Sequence, residues 1–102
     1  MPNRPAKRAT PNISLPPLPL DAAHLRAIYK AMRVSPRQAS VIDLTLRDLS
    51  DAEIANYMGI SISTVAIHRE RIFARTGART KMQIAMHVLA VSHQIMPADR
   101  SR

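Results

Sequence analysis

The sequence predicts an all-α domain, a small helical bundle that contains a helix-turn-helix. Three observations support this fold class. The capping-box pattern, Ser or Thr followed three residues later by Glu or Gln, begins at Ser35, Ser50 and Thr80. Asp21 and Ser61 are further single caps at similar intervals. Between the caps the apolar residues recur at helical spacing, and no segment shows the sustained alternation of a strand.

The chain opens with a segment that we expect to be a disordered basic arm. Residues 1–20 hold six of the eight prolines and three basic residues but no acidic one. Arg4, Lys7 and Arg8 would either follow a phosphate backbone or solubilise the chain. A second short tail is expected at residues 97–102.

Two helices are predicted before the helix-turn-helix. The first is an extra N-terminal helix at 21–33, and the second runs over 36–47, where Pro36 suits the first helical position. Their predicted buried stripes are Leu25, Ile28 and Met32 in the first, and Ala39, Ile42 and Leu46 in the second.

Three more helices follow. The third spans 51–58 and is followed by Gly59. The fourth spans 62–75 and is closed by Gly77, since glycine suits the left-handed position after a helix. The fifth spans 81–95.

The charge balance is the most informative bulk property. The 102 residues carry a formal charge of +8, with a pI of about 11.4. This excess favours a polyanionic partner, nucleic acid before an acidic membrane surface, although a solvated basic surface without a partner would look the same.

Several function classes are disfavoured. The absence of cysteine excludes disulfides and thiolate sites, and no apolar run is long enough to span a membrane. No Gly-rich phosphate loop occurs, and the four histidines lack metal-ligand spacing. We therefore expect a protein that is not an enzyme, binds no cofactor, metal or evident small-molecule ligand, and lies in the bacterial cytoplasm or nucleoid.

A short helix, a glycine-containing turn and a longer helix form a helix-turn-helix. On a helical period, Val65, Ile72 and Thr76 fall on the side expected to be buried, flanked by His68 and Arg69. The opposite side, expected to be free, carries Ser63, Ile67, Glu70, Arg71 and Ala74, with Ala66 at its edge.

These residues resemble the DNA-binding domain of LuxR/FixJ-type (GerE-like) transcription regulators. The matching features are Arg37, "LSDAEIA" at 49–55, "GIS" at 59–61, "TVAIH" at 64–68, Ile72, Gly77 and Thr80-Lys81. The resemblance implies a four-helix domain, here expected over 34–96, whose recognition helix enters the major groove of double-stranded DNA. It also implies a homodimer formed largely through the last helix.

We expect two sets of DNA contacts and one protein interface. The residues facing bases would be Ala66, Ile67, Glu70 and Arg71. Those near the backbone would be Ser63, Thr64, Arg69, Arg75, Arg79 and Lys81. The dimer interface would use Met82, Met86, Leu89 and His93, followed by Met96. Alternatively, the first helix covers this stripe within the same chain, and both could hold if that helix joins a dimer interface.

The chain departs from the family in its reading positions. The family usually has a basic residue at Ala66 and often another at Glu70, and it has paired glutamates where Gln38 and Ser40 stand here. A glutamate can accept from the cytosine amino group, so we expect an unusual target sequence, or weaker specific binding that relies more on the basic flanks. If Met1 is a true start, no phospho-acceptor or ligand pocket is present in this chain, and regulation would come from expression level, from a partner protein, or not at all.

Two other interpretations remain open. A related possibility is a promoter reader like that of sigma factors. From another class, the same helices could form a protein-interaction module that docks on RNA polymerase or a partner regulator.

Overall fold

The computed structural model describes residues 15–95, which contain five helices and no strand. The helices are α1 (Ala22–Met32), α2 (Pro36–Leu46), α3 (Asp51–Met58), α4 (Ile62–Thr76) and α5 (Lys81–Ile95). The predicted fold class is confirmed, and every predicted helix end lies within one residue of the observed one. Residues 1–14 and 96–102 lie outside the described residues, and with them most of the predicted arm, Met96 and the predicted tail.

The first two capping boxes form as predicted. Ser35 Oγ accepts from the backbone N–H of Gln38 at 3.1 Å, and Gln38 Oε1 accepts from the backbone N–H of Ser35 at 3.0 Å. Ser50 and Glu53 make the same reciprocal pair at 3.1 and 2.8 Å. These local bonds explain why α2 and α3 begin where the sequence predicts.

The third box differs by one residue. Thr80 Oγ1 accepts from the N–H of Gln83 at 3.0 Å, but Gln83 Oε1 accepts from the N–H of Arg79 at 2.6 Å. The side chain of Gln83 therefore reaches past Thr80 to the preceding amide. α1 is capped as expected, with Asp21 Oδ1 accepting from the N–H of His24 at 2.7 Å.

The hydrophobic core lies around α2, which packs against α3, α4 and α5, while α1 packs on α5. Leu25, Ile28 and Met32 are buried, as predicted for α1. In α2 the predicted stripe was too narrow. Ile42 is buried, but so are Val41, Leu44 and Thr45, whereas Ala39 and Leu46 are only partly buried. A helix with neighbours on several sides buries more than one stripe.

Residues 15–20, predicted as the end of the arm, pack on the helices. Leu15, Leu18 and Leu20 are partly buried against the core, and Arg47 Nη1 donates to the carbonyl oxygen of Pro16 at 2.9 Å. Prolines prevent regular structure here, but they do not prevent the leucines from burying apolar surface.

A polar cluster joins α1 to α2. Tyr29 Oη donates to Asp43 Oδ1 at 3.0 Å, and Arg47 Nε donates to Asp43 Oδ2 at 2.9 Å. Burial, together with the nearby carboxylate of Asp43, raises the pKa of Tyr29 well above its usual range. The phenol therefore stays neutral and continues to donate its hydrogen bond.

Candidate DNA interface

A tight turn sets α4 against α3. Gly59 adopts the left-handed conformation (φ 71°), and the N–H of Ile60 donates to the carbonyl of Ala55 at 3.0 Å. This six-residue closure is typical of a helix end that reverses the chain. After the turn, α4 packs against both α3 and α2, so its position relative to the domain is fixed by the core.

Hydroxyl groups surround the beginning of α4. Ser61 Oγ accepts from the backbone N–H of Thr64 at 3.1 Å and lies 2.9 Å from Thr64 Oγ1. Ser63 Oγ is 3.1 Å from Ser61 Oγ, and its side chain is exposed. The helix start thus combines free backbone amides, the positive end of the helix dipole and short polar side chains, a combination that suits a phosphate.

α4 has one packed face and one free face, as predicted. Val65 and Ile72 have no exposed surface, whereas Ile67 is 48% exposed. The residues exposed beside Ile67 are Ser63, Ala66, Glu70, Arg71 and Ala74. The fold therefore presents all four residues that the sequence predicts to face bases.

Comparison with known proteins identifies the domain. Residues 32–88, somewhat over half of the chain, match the family model described as bacterial regulatory proteins, luxR family. The chain belongs to the luxR family. Its helix-turn-helix is thus a DNA-binding domain of the kind found in transcription regulators, which confirms the resemblance seen in the sequence.

One curated relative illustrates the match. The C4-dicarboxylate transport transcriptional regulatory protein DctR of Rhodobacter capsulatus is 40% identical over 48 residues. That segment covers 47% of this chain and 24% of the relative, so the chain spans about a quarter of the relative's length. No solved structure gives a significant match.

Arg69 lies differently from the other predicted DNA contacts of this luxR-family domain. Its guanidinium donates to Asp51 Oδ1 and, at 3.3 Å, to Thr45 Oγ1. Only 15% of its side chain is exposed, because this part of α4 faces α2 and α3. The side chain thus has an intramolecular role that the charge pattern does not reveal.

His68 also lies at the edge of the core, as predicted. Its side chain is partly buried, and the buried Nδ1 atom has no hydrogen-bond partner within residues 15–95. In the described part of the chain, no group of three or more His, Asp or Glu side chains is placed to hold a metal.

The predicted basic flank is exposed. Arg75, Arg79 and Lys81 all lie at the surface, around the turn in which Gly77 adopts a φ of 80°. Lys81 Nζ is 3.3 Å from Asp48 Oδ1, but both side chains are at least half exposed. An exposed pair of this kind is weak, so Lys81 can exchange this carboxylate for a phosphate at little cost.

The luxR-family domain leaves one face of α5 uncovered. Met82, Met86 and Leu89 are 69%, 58% and 60% exposed, and His93 is exposed beside them. α1 packs on a different side of α5, where His24 Nε2 lies 2.9 Å from Ser92 Oγ. The first helix therefore does not cover this stripe, which removes one of the two alternatives left by the sequence.

No helix within residues 15–95 is long and apolar enough to cross a bilayer.

Proposed function

We propose that the protein is a sequence-preferring transcription regulator that binds double-stranded DNA with α4 in the major groove. The observation that carries the proposal is the division of α4, in which Val65 and Ile72 are fully buried and the opposite face is free. A helix held rigidly by the core with an accessible face is what groove binding needs. The formal charge of +8 supports a polyanionic partner.

The free face suggests how bases are read. Ile67, half exposed at its centre, would pack on a thymine methyl group, while Glu70 would accept from a cytosine amino group. Ala66 is small enough to let the helix approach closely. None of these three side chains is positively charged, so we expect them to contribute sequence preference more than affinity.

The flanking residues supply the affinity. Ser63 and Thr64 would bind one phosphate at the start of α4, and Arg79 and Lys81 another beyond its end. Each neutralised phosphate releases counterions and makes binding salt-dependent. We leave Arg69 out of this set, because its guanidinium is already bound by Asp51 and Thr45.

The second part of the proposal is a homodimer formed through the exposed stripe of α5. Met82, Met86 and Leu89 are aligned along one helix face, with His93 at its end, and two copies related by a two-fold axis would cover them. We expect one such helix pair to bury less than the roughly 800 Å² per partner of a typical stable interface. We therefore expect a weak dimer in solution that DNA stabilises.

A DNA partner implies that the protein acts in the bacterial cytoplasm, on the nucleoid. Docking on RNA polymerase is compatible with this role. The relative from Rhodobacter capsulatus is a transcriptional regulatory protein, which supports regulation of transcription here.

Selection from a pool of random double-stranded oligonucleotides tests the proposal. We expect enrichment of a motif with two inverted half-sites about 10 base pairs apart, as a two-fold dimer requires. Binding of the dimer through two phosphates per copy, about four in all, should weaken roughly a hundredfold between 50 and 200 mM salt. A protein-interaction module would instead enrich no motif, and its complex with a partner would persist at the higher salt.

A further inference from the structure

A solvent-open cleft lies where the first turn of α2 meets the C-terminal half of α4. It is lined by Gln38 from α2 and by Arg71, Ala74 and Arg75 from α4, and its volume is about 450 Å³. Both arginines are exposed at its rim.

The two arginines have no acidic partner among residues 15–95. The three ion pairs found there involve Arg47, Arg69 and Lys81. Arg71 and Arg75 are one helical turn apart, a spacing at which like charges repel each other. An anion held between them would relieve this repulsion.

Gln38 adds a donor on the opposite wall. Its Oε1 accepts from the backbone N–H of Ser35 at 3.0 Å. Since an N–H can donate only to an acceptor, this bond fixes the orientation of the amide. The Nε2 group therefore points away from the cap, and it has no hydrogen bond to a described residue. Hydrogen-bond donors therefore line both walls of the cleft, and the side-chain acceptor Gln38 Oε1 already has a donor.

The cleft lies at the edge of the α4 face that we propose to enter the major groove. At about 100° per residue, Arg71 and Arg75 lie about 40° and 80° from Ile67 around α4, on the same edge as Thr64. The edge of a helix inserted in the major groove faces the sugar-phosphate strand that borders the groove. An open cleft at this edge can receive a phosphate that remains part of a duplex.

We infer that this cleft binds one backbone phosphate of the DNA, through Arg71, Arg75 and the Nε2 group of Gln38. Arg71 then positions the domain instead of reading a base, and α2 contributes a DNA contact of its own. The inference rests on the proposed function, since it concerns how the same duplex is held.

The decisive variant is Gln38→Glu. Glutamate can occupy the same capping position, so α2 keeps its start, but the outward donor is replaced by a negatively charged acceptor. We expect affinity for all DNA sequences to fall about tenfold or more. The slope of log affinity against log salt should decrease in magnitude by about 0.9 for each protomer bound, the value for one lost phosphate. The selected motif and the melting temperature should stay unchanged.

Two further variants complete the test. Arg71→Ala should reproduce the uniform loss of affinity and the smaller salt slope. Gln94→Glu, which adds the same charge at an exposed position on α5, should change affinity and slope much less.

Two outcomes would overturn the inference. The first is an Arg71→Ala protein whose base preference changes at one position, which would make Arg71 a base reader. The second is a Gln38→Glu protein that matches Gln94→Glu. Competition by inorganic phosphate, at constant ionic strength, that weakens wild-type binding but not Gln38→Glu binding would support the inference, because the free anion would then displace the DNA phosphate from the cleft. Wild-type protein that binds no DNA would contradict the proposed function itself, a result that differs from both.

Discussion

The guanidinium of Arg69 donates to Asp51 Oδ1 and so joins the middle of α4 to the first residue of α3. A second bond, to Thr45 Oγ1 at 3.3 Å, connects the same side chain to α2. One arginine thereby links the two helices of the helix-turn-helix and the helix behind them. The orientation of α4 relative to α2 and α3 therefore depends on this link as well as on apolar packing.

Replacing Arg69 by methionine should destabilise the domain without a specific effect on DNA contacts. Hydrogen bonds to charged groups stabilise a fold, but Asp51 is 44% exposed and keeps access to water after the substitution. We therefore expect the free energy of unfolding to fall by only about 1–2 kcal/mol. Urea unfolding measures the loss. A double-mutant cycle with Asp51→Asn should show coupling between the two positions.

Lys81→Met is the matched control, because the pair that it breaks with Asp48 is exposed. This change should cost at most about 0.5 kcal/mol of stability but should weaken DNA binding. If the two substitutions destabilised the domain equally, the link through Arg69 would have no special structural role.

The contrast between the caps and Arg69 explains what the sequence can predict. Ser35, Ser50 and Ser61 fix helix starts through bonds that span three residues, so helix positions can be read locally. The partner of Arg69 lies 18 residues away on another helix, and a count of positive charges cannot show which of them is already paired. The charge pattern therefore predicts a phosphate contact for Arg69 for the same reason as for Arg75.

The cleft beside Gln38 was missed for a related reason. Its capping role is visible in the sequence, but its closeness to Arg71 and Arg75 depends on how α2 packs against α4. Likewise, the prolines of residues 15–20 predict the absence of helix, whereas the burial of Leu15 and Leu18 depends on the surface formed by distant helices.

Glu70→Ala should change the sequence that is selected. If Glu70 accepts from a cytosine amino group, the preference at one position of each half-site should be lost, with about 1–3 kcal/mol less discrimination there. Selection from random oligonucleotides, followed by binding to single-base variants of the motif, measures this change.

Since the substitution also adds one unit of positive charge, Ala27→Lys on the exposed side of α1 controls for charge alone. An identical motif from the Glu70→Ala and wild-type proteins would place Glu70 outside the base contacts.

Leu89→Glu should prevent dimerisation and leave the fold intact. The side chain is 60% exposed in the isolated domain, so the carboxylate stays in water in a monomer but would be buried in the proposed interface, where an unpaired charge is strongly unfavourable. Sedimentation of wild-type protein over a range of concentrations should show a dimer that the variant lacks. On DNA, the variant should occupy the two half-sites independently.

The control is Ala27→Glu, which should alter neither result. A wild-type protein that stays monomeric on its palindromic site would contradict the proposed dimer.

The bond between Tyr29 and Asp43 should make the stability of the domain fall at high pH. Burial raises the pKa of Tyr29 above its usual value of 10.0, so the folded state favours the neutral phenol. Its contribution is fully present below the pKa of the unfolded chain and is lost as the pH rises toward that of the folded chain. Urea unfolding at pH values between about 8 and 11 should therefore show a decline that Tyr29→Phe reduces. Tyr57→Phe is the control, since the Tyr57 hydroxyl has no hydrogen bond to a residue in the range 15–95.

At neutral pH, Tyr29→Phe should cost about 1 kcal/mol, because the Asp43 carboxylate keeps only Arg47 as its side-chain partner. Equal pH profiles for wild-type and Tyr29→Phe proteins would mean that the phenol does not stay neutral in the fold.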